Sequence, residues 1–246
     1  MNASDDTHRT SVPPSPTRTA AEIPALSRDM LAAGLINSLS ARDAPALRLL
    51  SDEERNASLT AFLAERPEGD VWVFAYGSLI WNPVLHSVER RVAWALDWHR
   101  AFCLTVYAGR GSAATPGLSL ALDAGGECSG IAYRLDENSL HTELDLLWRR
   151  EMLSGAYVPK WLKIYGSDRS FIGHAIGFTV DRQCSRYAGH LSESDVARQL
   201  ALAKGYLGTG ADYLNRTVKA LRSHHIPDLE LERIAGMVLD LISKGL

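Results

Sequence analysis

Residues 71–76, Val71-Trp72-Val73-Phe74-Ala75-Tyr76, are apolar without interruption and rich in β-branched and aromatic side chains. A short run of this kind, entered from Pro67-Glu68-Gly69-Asp70, predicts a buried strand. Gly77-Ser78 ends it at a residue without a Cβ, where main chain can approach a ligand closely. Pro83 disfavours the helical region for Asn82, so 79–83 is predicted as an ordered, non-helical loop. Further on, Val88, Val92, Trp94 and Leu96 alternate with the charged Glu89 and Arg91. That period of two predicts strands over 87–96 and 101–107, pairing antiparallel. Residues 118–122 and 127–135 read as two more strands joined by a hairpin turn at Gly125-Gly126. Residues 161–165 and 171–180 form another hairpin around 166–170.

Helical spacing frames this β-rich middle. Met30, Leu31, Leu35, Ile36 and Leu39 predict a helix within 30–50. Ser51 with Glu54 forms a capping box for a second, whose stripe of Leu59, Phe62 and Leu63 ends before Pro67. Asp136 to Ser139 supply capping residues for a helix over 140–153, which Gly155 closes. Three more helices are predicted at 193–203, 212–222 and 229–242. Strands in the middle and helices at the ends argue for an α+β protein with a mostly antiparallel sheet or small β-barrel, not a βαβ wheel. Residues 1–29 mix Ser, Thr, Pro and charge around Pro13-Pro14 and read as a disordered leader. Residues 30–246 read as a single domain in which 30–66 is a peripheral helical segment.

Composition narrows the function classes. With 246 residues, 46% hydrophobic and 22% charged, the chain is long enough for one sizeable core. Lys and Arg number 26 against 29 Asp and Glu, a net charge of −3. No basic field is present to attract nucleic acid or an anionic membrane, and neither is expected as a partner. No apolar run approaches a bilayer span and the first residues lack a secretory pattern, so a cytoplasmic location is expected. Three cysteines at wide spacings, Cys103, Cys128 and Cys184, indicate neither a disulfide framework nor a zinc site. The tryptophans have no basic groove beside them and read as core or pocket wall.

Two places carry candidate chemistry. A tight loop at a strand end presents several main-chain N–H groups in one direction and can cradle a carboxylate or phosphate, which draws attention to residues 76–79. Ser78 lacks the second glycine of a nucleophile elbow, so serine catalysis is set aside. Glu151 falls in the last turn of its helix, against the macrodipole. Either a surface pair with Arg150 or burial at a site would answer that conflict. Arg110, in a glycine-rich loop, is a candidate clamp for a substrate carboxylate or a solvated loop residue. Tyr157 and Tyr213 are candidates to offer hydroxyls to a pocket or to serve as core.

Five stretches then fall in a recognisable order: Phe74-Ala75-Tyr76-Gly77-Ser78-Leu79-Ile80-Trp81-Asn82-Pro83; Gly109-Arg110-Gly111 with Pro116-Gly117; Gly130-Ile131-Ala132-Tyr133-Arg134-Leu135; Leu147-Trp148-Arg149-Arg150-Glu151-Met152-Leu153-Ser154-Gly155-Ala156-Tyr157; and Gly205-Tyr206-Leu207-Gly208-Thr209-Gly210-Ala211-Asp212-Tyr213-Leu214. Over roughly residues 71–234 the chain resembles the ChaC-type γ-glutamylcyclotransferases. The resemblance implies a small β-barrel with surrounding helices and an enzyme that splits glutathione into 5-oxoproline and cysteinylglycine without metal or cofactor. It carries the family's substrate loop onto Tyr76, Gly77, Ser78 and Leu79, and its catalytic glutamate onto Glu151. Main-chain donors of the loop would hold the substrate α-carboxylate or part of the developing oxyanion. Two alternatives stay open on the sequence: a cyclotransferase for other γ-glutamyl amino acids or amines, and a non-catalytic regulatory or binding module on the same fold.

Overall fold

In the computed structural model, residues 25–246 are described. The remainder of the expected leader, residues 1–24, lies outside them. The first helix, α1 (Arg28–Ala32), starts two residues ahead of the expected Met30 and is capped by the Ser27 hydroxyl. Gly34, at φ 66°, divides it from α2 (Leu35–Asp43), so the single helix expected within 30–50 is two short ones followed by irregular chain. The capping box forms as predicted: Ser51 and Glu54 exchange side-chain-to-amide bonds of 3.2 and 2.8 Å at the start of α3 (Asp52–Ala64). Phe62 on this helix stacks on Trp161, centroids 4.6 Å apart, and holds α3 against the barrel.

The barrel begins with β1 (Trp72–Ala75), all four residues buried. Its uninterrupted apolar character has a simple cause: β1 is paired at both edges, antiparallel to β3 (Gly117–Arg134) and parallel to β5 (Phe171–Val180), and side chains on both of its faces are buried, so neither face is wet. The short helix α4 (Ser78–Trp81) follows at once. This corrects the non-helical loop expected over 79–83, because Pro83 constrains only Asn82, at φ −144° and ψ 71°, and leaves the turn before it free to coil.

β2 (Glu89–Val106) runs the full length expected of two strands and pairs with β3 from Glu89↔Arg134 to Val106↔Gly117. The Gly125-Gly126 pair is therefore not a hairpin turn. It is a bulge opposite Asp97, and all three residues have positive φ, at 99°, 72° and 67°. Two glycines can serve a bend inside a paired strand as readily as a reversal, and periodicity cannot tell these apart. The true turn between β2 and β3 is the glycine-rich stretch 107–116. β4 (Tyr157–Tyr165) joins β2 and β5, and the order β1-β3-β2-β4-β5 closes into a barrel. The mostly antiparallel β-barrel expected from the resemblance is present, with the β1–β5 and β3–β5 pairs parallel.

α5 (Leu140–Glu151) packs Leu144, Leu147 and Trp148 on the barrel. Ser139 takes the N-cap position, yet its hydroxyl turns back to the Asp136 carbonyl and caps nothing. α6 (Glu193–Leu202), α7 (Gly210–Ser223) and α8 (Leu229–Ser243) complete the coat, with the two-residue strands β6 (Lys204–Gly205) and β7 (Gly208–Thr209) leading into α7. The N-terminal segment is tied in by one buried carboxylate: Glu143 on α5, 2% exposed, accepts two bonds from Arg28 at 2.6 and 2.9 Å and the His86 amide at 2.9 Å.

Candidate active site

The end of β1, the end of α5 and the start of β4 converge on a small chamber of about 340 Å³. Tyr76, Gly77, Ser78 and Leu79 form one wall, Glu151 and Tyr157 another, and Ser119 and Tyr213 complete it. Residues predicted from segments up to about 140 positions apart in the chain thus share one hollow. A larger outer chamber of about 1090 Å³ opens beyond it and shares Ser78, Ser119, Glu151, Tyr157 and Tyr213. Those five side chains form the neck between the two.

Glu151 keeps only 14% of its side-chain surface exposed. Burial pushes its carboxyl above the usual carboxylate range, against the pull of the Arg150 guanidinium 2.9 Å away. Arg150 does not serve Glu151 alone. Its other nitrogens donate to the Ser78 hydroxyl at 2.8 Å and to the Asn82 carbonyl, so the guanidinium ties the glutamate to the loop after β1. Sequence reasoning saw Arg150 only as a charge partner; adjacent helical residues do not ordinarily face one another, and the link to Ser78 spans 72 positions.

The loop is anchored from behind. Tyr76 donates its hydroxyl to the Phe178 carbonyl at 2.6 Å, which makes this side chain a fixing point of the chamber wall. Its carbonyl accepts from the buried Arg100 at 2.7 Å, and Arg100 in turn meets Asp228 at 2.8 Å and the Ser129 carbonyl. We expect Arg100→Met to cost about 3 kcal/mol of stability, because it strands a carboxylate and two carbonyls at once. Urea unfolding of the variant measures this. Gly77 sits so close to α7 that a Cβ there would lie 3.1 Å from the Tyr213 hydroxyl.

Tyr157 donates to the Leu120 carbonyl at 2.9 Å and stands 3.4 Å from the Ser119 hydroxyl. Burial and the nearby Glu151 charge push its hydroxyl far above the ordinary tyrosine range; burial does the same for Tyr213, against opposing bonds from Ser119 and the Leu120 main chain. Both remain neutral hydroxyls. Arg110 lines the outer chamber, and is neither solvated nor free: it meets Asp212 at 2.5 Å and its guanidinium stands 5.8 Å from the Trp81 ring centroid. The two glycine-rich stretches lock it there, since Leu207 N–H donates to the Gly109 carbonyl at 2.8 Å and a Cβ on Gly205 would come within 2.3 Å of that same oxygen.

The N-terminal segment contributes more than packing. Leu26, Ile36, Ser40 and Leu47 line the outer chamber, and Ser40 shares a buried 2.9 Å hydrogen bond with Tyr206. Among the described residues, no group of three or more His, Cys, Asp or Glu side chains is placed to hold a metal ion, and no helix is long and apolar enough to cross a membrane.

Comparison with known proteins places this geometry in a family. The glutathione-specific gamma-glutamylcyclotransferase of Escherichia coli (strain K12) is 48% identical over 167 residues, 68% of this chain and 72% of that protein. The human glutathione-specific gamma-glutamylcyclotransferase 1 is 30% identical over 179 residues, 70% of this chain and 80% of its own. A crystal structure of a yeast gamma-glutamylcyclotransferase specific to glutathione shares the fold with a TM-score of 0.62 at 18% identity, covering 70% of this chain and 97% of that one. The model of the ChaC-like proteins matches residues 71–241, which include the whole barrel, the loop after β1 and Glu151, and the chain therefore belongs to the ChaC-like family.

Proposed function

We propose that this protein is a glutathione-specific γ-glutamylcyclotransferase, with Glu151 as its acid–base group. One observation carries the reading: a carboxylate of raised pKa lines the same chamber as residues 76–79, where the chain leaves β1. The names of the relatives support the substrate.

In the reading we favour, the γ-glutamyl group enters the inner chamber and its α-carboxylate meets main-chain donors of the loop. Ser78 and Leu79 are first-turn residues of α4, whose amides have no acceptor within the helix. The α-ammonium then faces Glu151. Once Glu151 has taken a proton from it, the nitrogen attacks the γ-carbonyl carbon. A new N–C bond closes the five-membered lactam, the γ-amide C–N bond breaks as Glu151 returns the proton to the departing nitrogen, and the second proton that the attacking nitrogen sheds on becoming the lactam N–H passes to the released amine, which leaves as the ammonium of cysteinylglycine. No water is consumed and no protein nucleophile is required. Nucleophile and electrophile belong to one molecule, so holding it folded removes much of the entropic barrier. The neutral hydroxyls of Tyr157 and Tyr213 border the chamber in which the reacting atoms would sit, that of Tyr157 with its proton committed to the Leu120 carbonyl.

A base must be ionised to act. Because the Glu151 pKa is raised, kcat/KM should decline on the acid side at a pH higher than an ordinary glutamate would set. The purified protein is incubated with glutathione across pH and 5-oxoproline is measured. Absence of 5-oxoproline at every pH would overturn the function, and an acid limb at the normal carboxylate pKa would overturn the role of Glu151's burial. A panel of γ-glutamyl amino acids and γ-glutamylamines beside glutathione tests the strictness for the tripeptide.

A further inference from the structure

Among the described residues, the outer chamber holds one positive charge that no carboxylate meets. Four charged side chains line it: Arg110, Arg150, Glu151 and Arg186. Arg110 is matched by Asp212 and Arg150 by Glu151. Arg186 hydrogen-bonds a neutral group, the Ser154 hydroxyl at 2.5 Å, and among the described residues no carboxylate forms an ion pair with it.

Its position is built, not incidental. The Arg186 carbonyl accepts the Thr105 amide at 2.9 Å, and the Ala188 amide donates to the Cys103 carbonyl at 2.8 Å, so residues 186–188 extend the sheet along the end of β2. Four residues earlier on the same loop, Arg182 is paired with Asp123 at 2.6 Å. One arginine of this loop thus closes a structural ion pair, while the other is half-buried on the chamber wall with its guanidinium steered by Ser154, three residues beyond Glu151. A planar guanidinium in that setting is complementary to a carboxylate, which it can take through two parallel bonds.

We propose that Arg186 binds the carboxylate at the far end of the substrate, that of the terminal glycine, and so selects the tripeptide over γ-glutamyl compounds lacking that group. The assignment rests on the cyclotransferase reading of the inner chamber. With the glutamyl end inside the neck, the leaving dipeptide extends into the outer chamber, past Leu104 and Val106 and toward Arg186. Arg110, the candidate clamp from the sequence, is already engaged by Asp212, a carboxylate it shares with Arg216, and is the weaker choice.

The test compares glutathione with its C-terminal amide, in which the glycine carboxylate is neutral, for the wild type, Arg186→Gln and Arg186→Lys. The wild type should favour the acid over the amide by about 10- to 100-fold in kcat/KM, mostly through KM. Arg186→Gln should lose that factor on the acid and little on the amide, and Arg186→Lys should recover part of it. Equal losses on both substrates would assign Arg186 a structural role and overturn the proposal, as would a wild type indifferent to amidation or a glutamine variant that matches the wild type on both. A wild type that cyclises neither substrate defeats the reading of the inner chamber, and the anchor falls with it.

Discussion

Replacing Glu151 with glutamine should lower kcat for glutathione by about 10²- to 10⁴-fold, the range over which a positioned acid–base group contributes. KM should change less than kcat, since the loop after β1 is untouched and glutamine keeps the shape of the neck. The substitution keeps the size of the side chain and a carbonyl oxygen for Arg150, which stands 2.9 Å from the carboxylate. The same variant makes a second prediction, about stability. The folded-state pKa of Glu151 is raised by burial, so the folded protein holds this proton more tightly than the unfolded chain does. The favourable contribution is fully present below the unfolded pKa and is lost as pH rises through the folded one. Above its folded pKa the wild type holds a buried carboxylate in its less favoured, charged form, and there Glu151→Gln should melt higher than the wild type. The difference should shrink as pH falls toward the ordinary carboxylate range. A variant that is inactive and less stable above that pKa would mean that the Arg150 pair outweighs burial.

The second large effect is expected at Gly77. The objection to a side chain there is one of space on the inner face of the chamber. A Cβ would meet the Tyr213 hydroxyl at 3.1 Å and Leu120 at 3.6 Å, on the inner face of the chamber. Gly77→Val adds two methyl groups beyond that point, in the small chamber that must admit a γ-glutamyl group. We expect kcat/KM to fall about 100-fold or more, since small displacements of a substrate from its near-attack geometry carry losses of that order. Gly77→Ala should fall between this and the wild type. Circular dichroism and thermal melting of both variants separate a blocked chamber from a misfolded chain. Wild-type kinetics in Gly77→Val would remove the loop from the substrate's path.

Much of the molecule was legible because it is written in near neighbours. The capping box of Ser51 and Glu54, the stripe of α5 and the alternation of β2 are set by residues within a few positions of one another, and each element formed where its pattern stood. The misreadings share a different cause. Pro83 has a reach of one residue, so it could not forbid α4; Gly125-Gly126 specifies positive φ, which a bulge and a turn both use. Glu151 was visible because it broke a local rule, a negative charge at the wrong end of a helix, and its burial beside Arg150 accounts for the exception.

By itself, then, the sequence determined most of the elements and their order, the all-apolar central strand and the two segments that meet at the chamber, since these follow from periodicity, caps and motif order. Tertiary structure alone decided how the barrel closes through β1 and β5, that Arg110 meets Asp212, that Arg150 bridges Ser78 to Glu151, and that Arg186 meets no carboxylate among the described residues. The reason is physical: whether a charge is paired and whether a hollow exists depend on contacts between residues roughly 70 to 100 or more positions apart, as with Arg150 and Ser78 or Arg110 and Asp212. No local pattern encodes which of several arginines will find a carboxylate once the chain has closed.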